Sequence, residues 1–164
     1  MSRSQTPPLV RDATQADAEA LTALLAAFLE EEGKAVAPPS AETVARWLAP
    51  PEPRVHALLG LQAGRPLGYL AFYAAFSLFK PGPVFLVENL YVSPAARGLG
   101  LGRLLMRGAA RQALRLGYRR LELNVVADNE PVHRFYQRLG LHAAGEAVFR
   151  IEDGSLRALA DDGD

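Results

Sequence analysis

Apolar residues along this chain change their spacing several times, and each change predicts an element. Leu9-Val10-Arg11 is a short strand candidate. Ala18, Leu21, Leu24, Leu25, Phe28 and Leu29 then recur at helical spacing up to Gly33, behind Thr14 and Asp17, which together pattern as a helix start. Ser40 is placed to cap a short helix carrying Val44, Trp47 and Leu48, which Ala49-Pro50-Pro51-Glu52-Pro53 stops. Strands are predicted over 55–61 and 66–76, joined by a tight turn at Ala63-Gly64-Arg65. Lys80-Pro81-Gly82-Pro83 breaks the pattern before a third strand, 84–92. The helix behind it puts Leu101, Leu104, Leu105, Gly108, Ala109 and Leu116 on one face, while Arg103, Arg107, Arg111 and Arg115 form a solvated stripe on another. Gly117 ends that helix, and a strand over 120–126, a helix over 131–139 and a last strand over 147–151 complete the series. Residues 1–7 and 161–164 are expected to be disordered. Three strands in succession without crossover helices predict a single α/β domain whose sheet is mixed and flanked by helices.

The stretch that matters most runs from 84 to 105, VFLVENLYVSPAARGLGLGRLL. A strand feeds a glycine-rich turn, and a helix starts directly behind the turn. The first turn of a helix carries unpaired N–H donors at the positive end of its dipole, and glycines let a phosphate group approach the backbone. The pattern therefore predicts a pyrophosphate-bearing ligand. A Walker-type loop is excluded because Gly102 is followed by Arg103-Leu104 rather than Lys-Ser/Thr. A dinucleotide fingerprint is excluded because the sixth position counted from Gly98 is Arg103, not glycine.

Composition narrows the classes further. With 164 residues, 49% hydrophobic and 22% charged, the chain has the make-up of a globular domain with a proper core. Eighteen basic residues balance eighteen acidic ones, so net charge argues for neither nucleic acid nor an anionic membrane. Without cysteine there is no disulfide, no thiolate metal site and no thiol nucleophile. His56, His133 and His142 lack ligand-like spacing, so no metal is expected. No signal-like apolar core opens the sequence and no run reaches the roughly 18 apolar residues of a membrane span, so the expected location is cytoplasmic.

Arg97-x-x-Gly100-x-Gly102 resembles the pyrophosphate signature of the GNAT acetyltransferase superfamily. Asn129 and Phe135-Tyr136-x-x-Leu139-Gly140-Leu141 follow at the distance and in the strand–helix setting of that superfamily's second cofactor motif. Val87-Glu88-Asn89-Leu90-Tyr91-Val92, Phe76-Ser77 and Asn129-Glu130-Pro131 through Tyr136 are similar to the spermidine/spermine (diamine) N-acetyltransferase branch. The resemblance implies the GNAT fold, acetyl-CoA as acetyl donor without a metal, a small-molecule amine as acceptor and a homodimer. It further implies that Arg97, Gly98, Leu99, Gly100, Leu101, Gly102 and Arg103 hold the pyrophosphate. The backbone of Leu90, Tyr91 and Val92 would pair with the pantetheine arm like an added strand, with Asn129, Val132 and Tyr136 completing the cofactor contacts. The chain departs from the branch in one segment and at two positions: residues 76–80 offer no carboxylate, Asn89 stands in place of an aspartate, and Asp128 in place of a tryptophan. A diamine, an amino-acid-like amine and a peptide amine all stay open as acceptors, as does a module that binds acyl-CoA without turnover. Glu30, Glu31 and Glu32 read as a solvated acidic turn or as a source of negative charge for the acceptor.

Acetyl transfer to an amine poses a proton problem. An alkylammonium with a pKa of about 10.4 is neutral in only about one part in a few thousand at pH 7, a deficit of roughly 4.6 kcal/mol. Protonating a departing thiolate with a pKa of about 8.5 involves only about 2 kcal/mol, so the base should matter more than the acid. Glu88 interrupts an apolar strand, where alternation places it with Leu86, Leu90 and Val92. Pattern alone leaves it as either the base or a solvent-facing edge charge; the resemblance, in which this glutamate contacts the amine, favours the base, acting directly or through water. Tyr136 reads as core packing on pattern alone, and the resemblance makes it the acid beside the sulfur. Asn129 is placed to cap the helix begun by Pro131 or to bind the pantetheine arm. With no cysteine to carry an acetyl group, direct transfer in a ternary complex is expected.

Overall fold

The computed structural model describes residues 6–78, 82–145, 152, 155, 156 and 160. The predicted strand over 147–151 and part of the predicted break at Lys80-Pro81 lie outside the described residues. The chain divides into two compact units, residues 1–124 and 125–164.

In the first unit the elements are β1 (Leu9–Asp12), α1 (Ala18–Glu31), α2 (Ala41–Trp47), β2 (His56–Gln62), β3 (Arg65–Ser77), β4 (Gly82–Val92), α3 (Leu101–Arg115) and β5 (Leu121–Leu123). The strands form one sheet in the order β1-β2-β3-β4-β5, antiparallel throughout except for the parallel β4–β5 pair. This is the α/β, mixed-sheet architecture that the element order predicts.

Local chemistry places the helices. Thr14 and Asp17 do open the first one, through a short 3-10 turn over Gln15–Asp17. The Asp17 carboxylate accepts from the Thr14 N–H at 2.8 Å and from Arg11 at 2.7 and 2.8 Å. The Arg11 hydrogen bonds, opposed by partial desolvation, hold the Asp17 carboxyl down at about 2. Ser40 caps α2 as its position predicts, its Oγ accepting from Thr43 N at 3.2 Å.

Packing divides the sheet into two faces. Leu59, Leu61, Tyr69 and Tyr91 cluster with Ala18, Leu21, Leu24, Val44 and Leu48 of the α1–α2 side. Gly60 and Gly68 turn to the opposite face, where α3 lies so close that a Cβ on Gly60 would meet Leu101 Cδ1 at 2.8 Å. Leu101, Leu105, Met106, Ala109 and Ala113 are the buried residues of α3, and the four stripe arginines are exposed. Leu116, predicted on the buried face, is half exposed because it caps the helix rather than continuing it.

In the second unit α4 (Glu130–Gln137) is entered through Asn129 and Pro131. No helix of the described residues is long and apolar enough to cross a membrane.

Candidate active site

β4 is two strands' worth of environment in one. Phe85, Leu86 and Val87 pair with β3 on one side and with β5 on the other. Val84, Phe85 and Val87 are buried, and Phe85 stacks on Phe72 with ring centroids 4.0 Å apart. Beyond Val87, β5 has ended, and among the described residues no strand lies beside that edge of β4. The N–H and C=O groups that face away from β3 there, apart from the Val92 carbonyl, which accepts from Arg97 Nε at 3.0 Å, are available to an extended ligand, as at any open strand edge.

Glu88 stands at the boundary. Val87 pairs with Phe72 and Asn89 with Ala71, so two adjacent β3 residues oppose three of β4, and Glu88 is the extra one. This bulge corrects the alternation expected from sequence. Leu86 pairs with Tyr73 and Leu90 with Leu70, positions three apart on β3, so Leu86 and Leu90 lie on opposite faces and cannot share one with Glu88. Glu88 is exposed and has neither a hydrogen bond nor an ion pair among the described residues. Its charge is felt by two tyrosines that sequence reasoning missed. Tyr69 is raised by burial first, then by Tyr91 and Glu88, and Tyr73 by burial and then Glu88. The Tyr69 hydroxyl is buried without a hydrogen-bond partner among the described residues. Only the β3–β4 register brings these residues together, and a single strand's sequence carries no signal of it.

The end of β4 is fixed by Ser93 N, which donates to Leu67 O at 2.8 Å. Leu67 is itself a bulged residue, because Gly60 pairs with Gly68 and Leu61 with Pro66. A 3-10 turn over Pro94–Ala96 then leads into the glycine stretch. Gly98 and Gly100 have φ of 76° and 81°, the left-handed region in which a side chain would be strained, and the space above each is open. Gly100 is the N-cap of α3, no side chain caps the helix, and its first turn holds no acidic residue. Among the described residues the first N–H groups of α3 therefore keep no partner of their own, and they face a backbone that a large anion can approach. Leu101 is buried against Gly60 and Gly68 and pins the helix start to the sheet. Leu99 and Arg103 are exposed, and Gly102 is half-buried. These residues fit a pyrophosphate. Arg97 does not point its charge freely at the turn: its Nη2 lies 2.5 and 2.7 Å from the Glu31 carboxylate oxygens, and its Nε donates to Val92 O at 3.0 Å.

In the second unit the side-chain oxygen of Asn129 accepts from Val132 N at 3.4 Å, a long version of the predicted cap. His133 Nε2 lies 3.1 Å from Val126 O, on the turn that precedes α4. Phe135 and Tyr136 meet edge to face with centroids 5.1 Å apart. Burial pushes the Tyr136 hydroxyl up to about 12, so it is protonated throughout the neutral range.

A mixed sheet whose bulged fourth strand is open along one edge beyond the bulge leads into a helix start shaped by left-handed glycines. The chain belongs to the Acetyltransferase (GNAT) family, whose signature matches residues 18–141. Over 98 residues it is 34% identical to thialysine N-epsilon-acetyltransferase from Bos taurus, a match covering 57% of each protein. Over 89 residues it is 30% identical to aminoalkylphosphonate N-acetyltransferase from Salmonella typhimurium, covering 54% of this chain and 58% of that protein. The match thus spans less than two thirds of the length of these relatives. In fold it is similar to the aminoglycoside N-acetyltransferase AAC(6')-Iy in complex with CoA, with a TM-score of 0.75 at 14% identity over 93% of this chain and 98% of that one.

Proposed function

We propose that this chain transfers an acetyl group from acetyl-CoA to a primary amine of a small molecule, directly and without a metal or a covalent acetyl-enzyme. The observation that carries the reading is the divided strand: an unpaired carboxylate on a bulge, an open backbone edge beyond it, and a glycine turn at the end of that edge. Names of relatives that include thialysine and aminoalkylphosphonate acetyltransferases support an amine as acceptor.

Acetyl-CoA supplies an acyl group activated as a thioester. The N–H groups at the start of α3, freed by Gly98 and Gly100, would hold its pyrophosphate, with Arg103 near the mouth. The open edge of Leu90, Tyr91 and Val92 would hold its extended arm, and a backbone N–H there would polarise the carbonyl. Glu88 takes a proton from the ammonium, directly or through one water, which removes the larger of the two proton costs. Tyr136 keeps its proton at neutral pH and is suited to deliver it to the departing sulfur. Asn129 fixes the entry of α4 and so the register of Tyr136. The reading extends to a cytoplasmic homodimer only by resemblance to the family.

Thiol release from acetyl-CoA against a panel of amines tests this. Amine-dependent release is expected, strongest for small primary amines. Tight acetyl-CoA binding with no amine-dependent release would leave a binding module in place of an enzyme. Release with peptide amines alone would move the acceptor to a polypeptide.

A further inference from the structure

Arg97 occupies the cationic position of the glycine motif, where its guanidinium is expected against phosphate. Its side chain is engaged elsewhere. One nitrogen, Nη2, reaches both oxygens of Glu31 at 2.5 and 2.7 Å, while Nε donates to Val92 O at 3.0 Å. Glu31 is the last residue of α1, 66 positions away in sequence. Its carboxylate also faces the hydroxyl of buried Tyr91, which lies beside Val92 on β4; burial first, and then the Glu31 charge, holds that phenol up.

The consequences follow from charge and geometry. A guanidinium already matched to a carboxylate presents little net charge to a phosphate, and reaching one would mean breaking two short charge-assisted bonds. Held as it is, the same side chain ties three things together: the end of α1, the last carbonyl of β4, and the backbone that begins the glycine turn. It joins the two ends of the ligand path described above, the open edge and the anion cradle.

We propose that Arg97 and Glu31 form a positioning pair for the cofactor site, and that the Arg97 side chain is a strut rather than a pyrophosphate ligand. The anion is then held by backbone N–H groups, and the pair sets where those groups stand. Because Glu31 is followed by the turn into the 34–39 segment, the strut also links the cofactor turn to the part of the chain that leaves α1. This rests on the reading of the glycine turn as the CoA pyrophosphate site.

Equilibrium titration of CoA into the full chain and its variants separates strut from ligand by sign. If Arg97 is a strut, Glu31→Gln and Arg97→Gln each weaken CoA by about fivefold, and the double variant is no worse than either alone. Arg97→Lys is then as poor as Arg97→Gln, because an ammonium on a flexible stem cannot bridge Glu31 and Val92 O together. In turnover the loss falls in KM for acetyl-CoA and not in kcat. If Arg97 is instead a ligand masked by Glu31, then Glu31→Gln frees it and tightens CoA, and Arg97→Lys stays near wild type; either result overturns the proposal. Failure of the wild type to bind CoA at all would overturn the reading of the turn, and the strut with it.

Discussion

The two halves of β4 share one strand and have opposite jobs. From Val84 to Val87 the strand is paired or packed on every side: β3 on one edge, β5 on the other, Phe72 stacked on Phe85 and Tyr118 set edge-on to the same ring at 5.8 Å. From Glu88 to Val92 it keeps only β3 as neighbour among the described strands. One extra residue marks the change. The difference teaches how a site is built at little cost to the fold: the closed half supplies rigidity, and the open half supplies unpaired backbone and an unpaired carboxylate.

Substitutions on the two sides of the bulge should therefore fail differently. The largest effect on activity is expected at Glu88, where Glu88→Gln should lower kcat/KM by about 100-fold or more with thermal stability unchanged. Tyr136→Phe should lose less at pH 7, because protonating the thiolate is the smaller cost; a reversed order would exchange the two roles. With its hydroxyl pushed up to about 12, Tyr136 keeps its proton well past neutrality, so kcat/KM should show no descending limb below about pH 10 that Tyr136→Phe removes. On the closed side, Phe85→Ala should cost about 3–5 kcal/mol in denaturant unfolding, since the ring is 1% exposed and stacked. Retained stability there would show that the closed half is not the rigid one.

A smaller loss is expected where the two halves are supported from β3. A Cβ on Gly68 would sit 2.7 Å from the Tyr91 carbonyl oxygen, a backbone atom that cannot swing away. Gly68→Ala should cost about 1–3 kcal/mol and weaken CoA binding as well, because the displaced strand is the open half. The smallest effect belongs far from both, at Asp17. Its carboxyl is lowered from 3.8 to about 2, so the stabilisation is present above the unfolded value near 3.8 and is lost as pH falls toward 2. Asp17→Asn should cost about 1 kcal/mol at pH 7, discounted because Arg11 is 45% exposed, and the gap from wild type should close on acidification with activity untouched.

Much of this was legible in the residues because the signals were local. Helical spacing from Ala18 to Leu29, the Thr14–Asp17 and Ser40 starts, and the strand–glycine–helix order around Gly98 and Gly100 each lie within a few positions of what they specify. The bulge at Glu88 was not legible. A strand read alone shows only its own alternation, and the extra residue exists only relative to Phe72 and Ala71. Glu31 was hidden for a similar reason: an acidic turn at a helix end looks solvated until Arg97 arrives from the other side of the sheet's connectivity. β5 came out shorter than the predicted 120–126, and that shortness is what opens the β4 edge.

The central claim is that the open half of β4 carries the chemistry through Glu88. Thiol release from acetyl-CoA with a responsive amine, measured side by side for wild type and Glu88→Gln together with CoA affinity for each, tests it most directly. The account predicts amine-dependent release that falls by about 100-fold or more in Glu88→Gln while CoA affinity stays within about twofold. Equal release by the two proteins, at equal CoA affinity, would contradict it.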